Sequence, residues 1–578
     1  MRYLRWFFGG ITLIIFLLVF LGWLSVLGGP KVEDQSVLSI VLDGPLREAP
    51  SSDLNVLLGE EPVQTLRSVV LSLERAAEDN RIQGVLLSIG TPEVGFAQLQ
   101  EIAVAMDAFR ESGKWSRSFL ETAGELSRGD GAYALAALAD EIVLAPAGDI
   151  NLVGLRTEPL FFAGTLEKLG ISAHFEKRGK YKSAANQFIK REMDEPQRES
   201  ISDIIGDLQD DLVTLIAARR NQEKTTIESW IATGPHLGPE ALQRGIVDRL
   251  AYGDEVLNEL KELTGRDEPI VDVASYWLEG RLHDSGRKIA LVYGEGAVMR
   301  GESNPGLFNS DPTMASDTLI AAFRALREEG AEAVVFRVDS PGGSYIASDL
   351  IRREVQLTRE QGIPVVVSMG NAAASGGYFV AMDADMIIAD SSTITGSIGV
   401  FTGLFDMSRL FQTLGVTNDS LQTAPNADAY SQLAPIDDRR KQLVARAADR
   451  VYVDFTTKVA DKRGLPLPKV LTVAQGRVWS GRDALEHGLV DQLGGLQTAI
   501  SAARKLAEID ADADIELSVW PRPRSPIAAL QSALLGAVRT SSDLEHVKEP
   551  LEMVGELWNK LGAVRGDAAL TAPLIPRL

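Results

Sequence analysis

The chain has 578 residues, which is too long for one ordinary hydrophobic core, so we expect at least two folded units. Apolar residues make up 45% and charged residues 24% of it, values typical of a folded globular protein and not of a disordered chain. The formal net charge of −22 argues against binding to nucleic acid, and the lack of cysteine excludes disulfides, a thiol nucleophile and zinc–thiolate sites.

The first predicted element is a membrane anchor. Residues 7–29 contain no charged side chain, and about 22 helical residues reach roughly 33 Å, enough to cross the hydrocarbon core. Arg2 and Arg5 precede this run, so residues 1–6 are predicted to stay in the cytoplasm, with the rest of the chain on the other side. A cleaved signal peptide is the alternative, but the run is longer than the usual apolar region of one.

The remainder of the chain contains an internal repeat. Residues 84–92, 131–146 and 240–248 resemble, in the same order, residues 333–341, 376–391 and 483–491, at a separation of about 245 residues. This pattern predicts a tandem duplication, with an N-terminal repeat over residues 36–270 and a C-terminal repeat over residues 285–510. A polar segment at residues 266–287 joins the copies, and residues 520–578 form a tail of open role.

Each copy shows the pattern of an α/β domain. Continuously apolar strands, such as residues 333–338, alternate with amphipathic helices, such as residues 318–326. Strands of this kind are typical of a buried and largely parallel sheet. Longer helical stretches at residues 200–220 and 437–464 close the two copies. The predicted fold class is therefore α/β, built from two copies of one domain.

A serine stands among small residues at residues 371–378, N-A-A-A-S-G-G-Y. The aligned position of the first copy is Asp130, so the serine is not a packing requirement of the repeat. Ser375 is therefore a candidate nucleophile, presented where a predicted helix begins. The alternative is a close helix–strand contact without chemistry.

Glycines near this serine are candidate oxyanion donors. The amide of Gly376 follows the serine, and a D-S-P-G-G turn upstream offers the amides of Gly342 and Gly343. The first copy has G-T-P-E-V at the position of this turn, so only the second copy has the paired glycines.

No histidine lies near the serine in the sequence, so a lysine with a lowered pKa is the next candidate base. Residues 176–188 of the first copy contain four cations, whereas the corresponding residues 421–433 contain no lysine. A solvated basic patch is the alternative, and spacing does not choose among the four: Lys177, Arg178, Lys180 and Lys182.

These motifs resemble the signal peptide peptidase A family, in its long, duplicated, membrane-anchored bacterial form, over residues 36–507. That family shares a fold group with the Clp protease subunit and the crotonases. Y-K-S-A matches the family's lysine segment, which implies Lys182 as the general base. A-S-G-G-Y implies Ser375 as the nucleophile, and T-G-S-I-G-V implies that Ser397 orients the lysine.

The resemblance implies a Ser–Lys serine endopeptidase that needs no metal or cofactor. Its substrates would be remnant signal peptides and other apolar peptides. It implies a homotetramer in the bacterial inner membrane, with its catalytic part in the periplasm. Two alternatives stay open at this point: a non-catalytic membrane-anchored scaffold with a crotonase-like fold, and a crotonase-like acyl-thioester enzyme.

Overall fold

The computed structural model describes residues 32–50, 64–281, 286–303, 312–522 and 569–571. The predicted cytoplasmic N-terminus, the predicted anchor at residues 7–29 and an apolar helical pattern at residues 527–538 lie outside these ranges. Within the described ranges, no helix is both long enough and apolar enough to cross a membrane.

The first copy forms a six-stranded parallel sheet in the order β8-β4-β3-β2-β1-β9. Its strands are β1 (Ser36–Pro45), β2 (Ile82–Glu93), β3 (Trp115–Leu120), β4 (Glu141–Leu144), β8 (Arg249–Leu250) and β9 (Ile270–Asp272). A separate antiparallel pair consists of β5 (Asp149–Ile150) and β7 (His236–Leu237). The joining segment, predicted only as polar, supplies the edge strand β9 and the following helix.

Ten helices accompany this first sheet in the described residues. They are α1 (Leu66–Glu78), α2 (Phe96–Glu111), α3 (Asp130–Ala136), α4 (Ala163–Lys168), α5 (Asn186–Ile189), α6 (Glu195–Arg220), α7 (Lys224–Thr233), α8 (Gly238–Gln243), α9 (Gly253–Thr264) and α10 (Val273–Arg281). Side-chain caps fix where the principal ones begin: the Thr65 hydroxyl accepts from the Ser68 amide before α1, and the Asp194 carboxylate accepts from the Gln197 amide before α6.

The second copy forms an eight-stranded sheet along the path β19-β17-β15-β13-β10-β21, with β16 beside β15 and β20 beside β16. Its strands are β10 (Arg287–Glu295), β13 (Ala333–Ser340), β15 (Val365–Ala374), β16 (Met386–Ala389), β17 (Ile394–Gly396), β19 (Val478–Ser480), β20 (Gln492–Leu493) and β21 (Ile515–Trp520). All neighbours are parallel except β17 and β19. β21 pairs with β10 as β9 pairs with β1, so each sheet ends on a strand from the end of its copy.

The second copy contributes eight described helices. They are α11 (Ser316–Glu328), α12 (Tyr345–Glu360), α13 (Gly376–Ala381), α14 (Ser408–Thr413), α15 (Asp438–Lys462), α16 (Leu467–Val473), α17 (Gly481–His487) and α18 (Leu496–Leu506). Their apolar faces cover strands such as β13, which is buried along most of its length. The predicted α/β fold class is thus confirmed.

Corresponding hydrogen bonds confirm the duplication. The Tyr133 hydroxyl donates to the carbonyl of Ile246 at 2.8 Å, and the Tyr378 hydroxyl donates to that of Leu489 at 2.9 Å. In each copy an aspartate also accepts from a strand amide, in the pairs Ile142–Asp248 and Ile387–Asp491. The same local structure has therefore been built twice.

A third sheet connects the copies, in the order β12-β11-β14-β22-β18-β6. Its strands are β6 (Ser172–Arg178), β11 (Ala297–Met299), β12 (Thr313–Ala315), β14 (Gly342–Ser344), β18 (Val400–Asp406) and β22 (Ala569–Thr571). β6 of the first copy runs antiparallel to β18 of the second, with Arg178 opposite Val400. Phe175, Phe188, Phe401 and Phe405 pack around this pair. The chain that follows β6 is thereby placed against the second copy.

A buried ion cluster also joins the copies. Arg337, on β13, is fully buried and bonds Glu48 through Nε at 2.9 Å and Glu101 through Nη2 at 2.6 Å. Both glutamates belong to the first copy. The second oxygen of Glu101 accepts from the amide of Leu496 at 2.6 Å. One guanidinium therefore pairs with two carboxylates across the boundary.

Candidate active site

Ser375 lies at the turn between β15 and α13 and is fully buried. Its amide donates to the carbonyl of Gly396 at 2.8 Å. Its backbone has φ 57° and ψ −111°, a conformation that costs a non-glycine residue on the order of 1–3 kcal/mol. The bond to Gly396 on the neighbouring strand β17 helps to hold this conformation, and the Ser375 hydroxyl forms no capping hydrogen bond with the helix that follows.

Lys182 follows β6 and reaches this serine from the other copy. Its Nζ lies 2.7 Å from the Ser375 hydroxyl oxygen, 2.9 Å from that of Ser397 and 3.0 Å from the Ser397 carbonyl oxygen. All three residues are fully buried. The structure thus brings together three residues that the sequence analysis singled out, although Lys182 and Ser375 are 193 positions apart.

The other three cations of the segment face elsewhere. Lys177 lies 3.7 Å from the carboxylate of Asp194. Arg178 pairs with Glu176 and Asp449, and the Lys180 amine lies over the ring of Tyr181. Of the four cations, Lys182 alone reaches Ser375. Residue spacing in the sequence does not separate Lys182 from the other three.

Burial lowers the pKa of Lys182 well below the usual value for lysine. Its hydrogen-bond partners in the described residues are two hydroxyls and a carbonyl, so no carboxylate offsets the cost of burying a charge. An uncharged amine has two N–H groups and one lone pair. The two N–H groups can donate to Ser397, which leaves the lone pair for the Ser375 proton.

Gly343 and Gly376 lie in close contact beside the serine. A Cβ placed on Gly376 would lie 2.9 Å from the Gly343 nitrogen, and one on Gly343 would lie 2.1 Å from the Val298 carbonyl oxygen. Only glycine permits this approach of two backbones. The amide of Gly342 donates to the Ser340 hydroxyl at 3.1 Å, so that amide already has a partner.

Sequence reasoning missed the turn at residues 475–477, which holds both Lys182 and Ser397. The carbonyl of Gln475 accepts from the Tyr181 amide at 3.0 Å, and the carbonyl of Arg477 accepts from the Ser397 amide at 2.7 Å. The Arg477 side chain pairs with Glu199 and Asp203 of the first copy. Most of these contacts are made by main-chain atoms, so the residue types of the turn did not indicate its role. The one feature visible in the sequence is the glycine at its centre, Gly476.

Replacing that glycine should reduce turnover. Gly476 has φ +73°, and a Cβ there would lie 2.6 Å from the Cβ of Lys182 and 2.7 Å from its nitrogen. We expect Gly476→Ala to displace the lysine and to lower kcat by roughly 10- to 100-fold, since a shift of about 1 Å in a reacting group can cost that much. Steady-state kinetics on a peptide substrate measure this.

Gly464→Ala is the matched control for that substitution. Gly464 also has a positive φ, +60°, but a Cβ there meets nothing within 4 Å. This variant should lose about 1 kcal/mol of stability from backbone strain and keep its kcat. Equal kcat values in the two variants would show that the turn does not position the lysine.

The first copy has a structural residue where the second has Ser375. The Asp130 carboxylate accepts from the amides of Val153 at 3.1 Å and Gly154 at 2.7 Å. Burial raises its pKa. In this copy, therefore, the aligned position holds a loop in place.

The model of peptidase family S49 matches residues 122–267 and 358–510, one stretch in each copy. The chain belongs to peptidase family S49. It is 30% identical to the chloroplastic serine protease SPPA of Arabidopsis thaliana over 89% of this chain and 76% of that one. It is also 31% identical to protease 4 of Salmonella typhi over 84% of this chain and 81% of that one.

Membership of S49 identifies the chain as a serine protease and contradicts the scaffold alternative. Among solved structures, the chain resembles a mutant of the 1510-N membrane-bound stomatin-specific protease in complex with a substrate peptide. The two are 14% identical, with 43% of this chain and 99% of that one covered and a TM-score of 0.26. A TM-score this low does not establish a shared fold.

Proposed function

We propose that this S49 serine protease is a Ser–Lys endopeptidase with Ser375 as nucleophile and Lys182 as general base. The observation that carries the proposal is the buried 2.7 Å contact between the Lys182 amine and the Ser375 hydroxyl. Ser397 orients the amine through its hydroxyl and its carbonyl. The strained backbone of Ser375 supports the same role, since such strain persists mainly at functional sites.

The proposed reaction has two steps. Uncharged Lys182 takes the hydroxyl proton as Ser375 attacks a peptide carbonyl, and the resulting ammonium then protonates the leaving amine. Water, activated by the same amine, hydrolyses the acyl-enzyme. The amides of Gly376 and Gly343 stabilise the oxyanion, each contributing about 3 kcal/mol. Gly343 is preferred to Gly342 because the Gly342 amide is occupied by Ser340.

The proposed substrates are cleaved signal peptides and other apolar peptides. The predicted anchor at residues 7–29 would hold the enzyme in the bacterial inner membrane, with a periplasmic active site next to these peptides. A homotetramer is the proposed assembly. Faster cleavage of a detached signal peptide than of a polar peptide of equal length, measured by mass spectrometry, supports the substrate class. Equal rates contradict it.

The pH profile tests the proposed base. Burial lowers the pKa of Lys182, so the amine should already be uncharged at pH values well below the usual pKa of lysine. We expect kcat/KM to rise with pH through one ionisation whose midpoint lies below 10.5, on a peptide without ionisable side chains. A midpoint at the ordinary lysine value, or a flat profile from about pH 5 to about pH 10, would contradict the proposed base.

A further inference from the structure

The side chain of Arg477 joins the second copy to helix α6 of the first. Its guanidinium donates to the Glu199 carboxylate at 2.7 Å and to the Tyr181 hydroxyl at 2.9 Å, and it also pairs with Asp203. The Tyr181 hydroxyl in turn donates to Glu199 at 2.9 Å. The bonds from Arg477 and Tyr181 lower the pKa of Glu199, so this carboxylate stays charged at neutral and alkaline pH. These side chains form one hydrogen-bonded group across the boundary between the copies.

Two aromatic rings contact the same guanidinium. Its central carbon lies 4.7 Å from the ring centroid of Tyr181 and 4.6 Å from that of Trp479. A guanidinium over an aromatic ring is attracted by the negative face of the ring, and its planar shape allows it to stack there. Tyr181 directly precedes Lys182 in the chain. Trp479 lies on β19, which pairs with β17. Arg477 therefore connects the lysine segment with the sheet of the second copy.

The main chain at Arg477 contacts the segments that carry the two serines. The Arg477 carbonyl accepts from the Ser397 amide at 2.7 Å. The next residue, Val478, lies opposite Gly396 in the antiparallel pairing of β19 with β17, and the Gly396 carbonyl accepts from the Ser375 amide at 2.8 Å. Arg477 thus reaches the lysine segment through its side chain and the serine segments through the backbone at its position.

We propose that Arg477 is a positioning residue that sets the Lys182 amine against the two serines. The inference rests on the proposed function, since it takes Lys182 as the general base. The lysine belongs to the first copy and both serines to the second, so a small displacement between the copies changes every hydrogen bond of the amine. Arg477 is bonded on both sides of that boundary and opposes the displacement. Its planar guanidinium offers several N–H donors in fixed directions, which suits it to several acceptors at once.

Arg482 provides the comparison, because it links the copies without reaching the dyad. Its side chain, on α17, also pairs with acidic residues of α6, at Asp210 and Asp211. Within the described ranges, it makes no hydrogen bond to the dyad or to Ser397. If Arg477 only tied the copies together, the loss of either arginine would affect the enzyme alike.

Arg477→Gln in the full-length chain tests the inference. Glutamine cannot replace the bonds to Glu199, Asp203 and Tyr181 together. We expect kcat on a peptide without ionisable side chains to fall by roughly 10- to 100-fold with KM little changed, since a shift of about 1 Å in a reacting group can cost that much. The displaced amine should meet water, so the midpoint of the kcat/KM pH profile should rise toward the ordinary value for lysine. Arg482→Gln should keep the kcat and the midpoint of the wild type.

Glu199→Gln separates the effect of position from that of charge. By its field alone, the loss of a nearby positive charge raises the pKa of a lysine, and the loss of a negative charge lowers it. Loss of position instead raises the midpoint in both Arg477→Gln and Glu199→Gln. We expect the smaller rise in Glu199→Gln, with kcat lower by about 3- to 10-fold, because the other bonds of the guanidinium remain.

Initial rates from about pH 5 to about pH 10 measure these effects, and thermal unfolding shows that each variant is folded. Because the Glu199 side chain is 44% exposed, Glu199→Gln still provides the test if Arg477→Gln does not fold. A midpoint that falls in Glu199→Gln, or equal losses of kcat in Arg477→Gln and Arg482→Gln, would overturn the inference alone. Full activity in a folded Lys182→Ala protein would instead reject the proposed function.

Discussion

Ser375→Ala and Lys182→Ala should each lower kcat/KM for peptide hydrolysis by roughly 10⁴- to 10⁶-fold, the loss seen when a member of a serine protease's catalytic group is removed. The reason is that, in the proposed dyad, the hydroxyl and the amine would act as one unit across 2.7 Å. Because they act together, the double variant should be no slower than either single variant. Initial rates on a signal peptide in detergent micelles measure the effect.

Lys180→Ala is the control for charge and position. Lys180 lies two residues away, and its amine lies over the ring of Tyr181 and not at the serine. This variant should keep close to full activity. Thermal unfolding of all the variants separates loss of chemistry from loss of fold. Full activity in a folded Lys182→Ala protein would remove the proposed dyad.

Arg337→Leu should lower the free energy of unfolding by about 3–5 kcal/mol near neutral pH, the usual cost of removing one partner from a buried ion cluster. The substitution leaves Glu48 and Glu101, which bond the guanidinium at 2.9 and 2.6 Å, without a counter-charge at the boundary between the copies. Urea unfolding followed by circular dichroism measures the change.

Arg353→Leu provides the comparison for this second prediction. Arg353 forms an ion pair with Glu360 in which both side chains are about half exposed, so its removal should cost less than about 1 kcal/mol. Similar losses in the two variants would show that burial adds nothing to the Arg337 cluster.

The stability of this region should also depend on pH. Burial raises the pKa of Asp339 to about 6 and that of Glu295 to about 7, with the negative charge of Glu48 as a further cause in both. A carboxyl whose pKa is raised binds its proton more tightly in the folded state, so the stability it contributes is present at low pH and is lost as the pH rises through about 6 to about 7. The positive charge of Arg337 lowers the pKa of Asp339, so removing that charge should raise this pKa further, and the penalty of Arg337→Leu should be smaller at about pH 5 than at about pH 8. An identical penalty at both values would contradict this account.

The sequence alone predicted the duplicated α/β fold, because apolar strands and repeated segments leave a direct trace in residue order. It also singled out Ser375, since the first copy had replaced it with Asp130. Residue spacing did not choose among the four cations, because the choice depends on the pairing of β6 with β18, two strands that lie far apart in the chain; the family resemblance alone indicated Lys182. The turn at residues 475–477 and the strand β22 act through main-chain contacts, which residue types do not reveal. The catalytic roles of Ser375, Lys182 and Ser397 remain predictions.

The pairing of β6 with β18 determines when, during synthesis of the chain, the proposed dyad can form. The ribosome makes the first copy, with its lysine, before the second copy, with its serine, exists. If the dyad is as proposed, no fragment that lacks either copy can cleave a peptide bond. The growing chain is then harmless to itself and to its neighbours until the second copy has folded against the first. Synthesis and folding of the second copy would then be the event that completes the proposed active site.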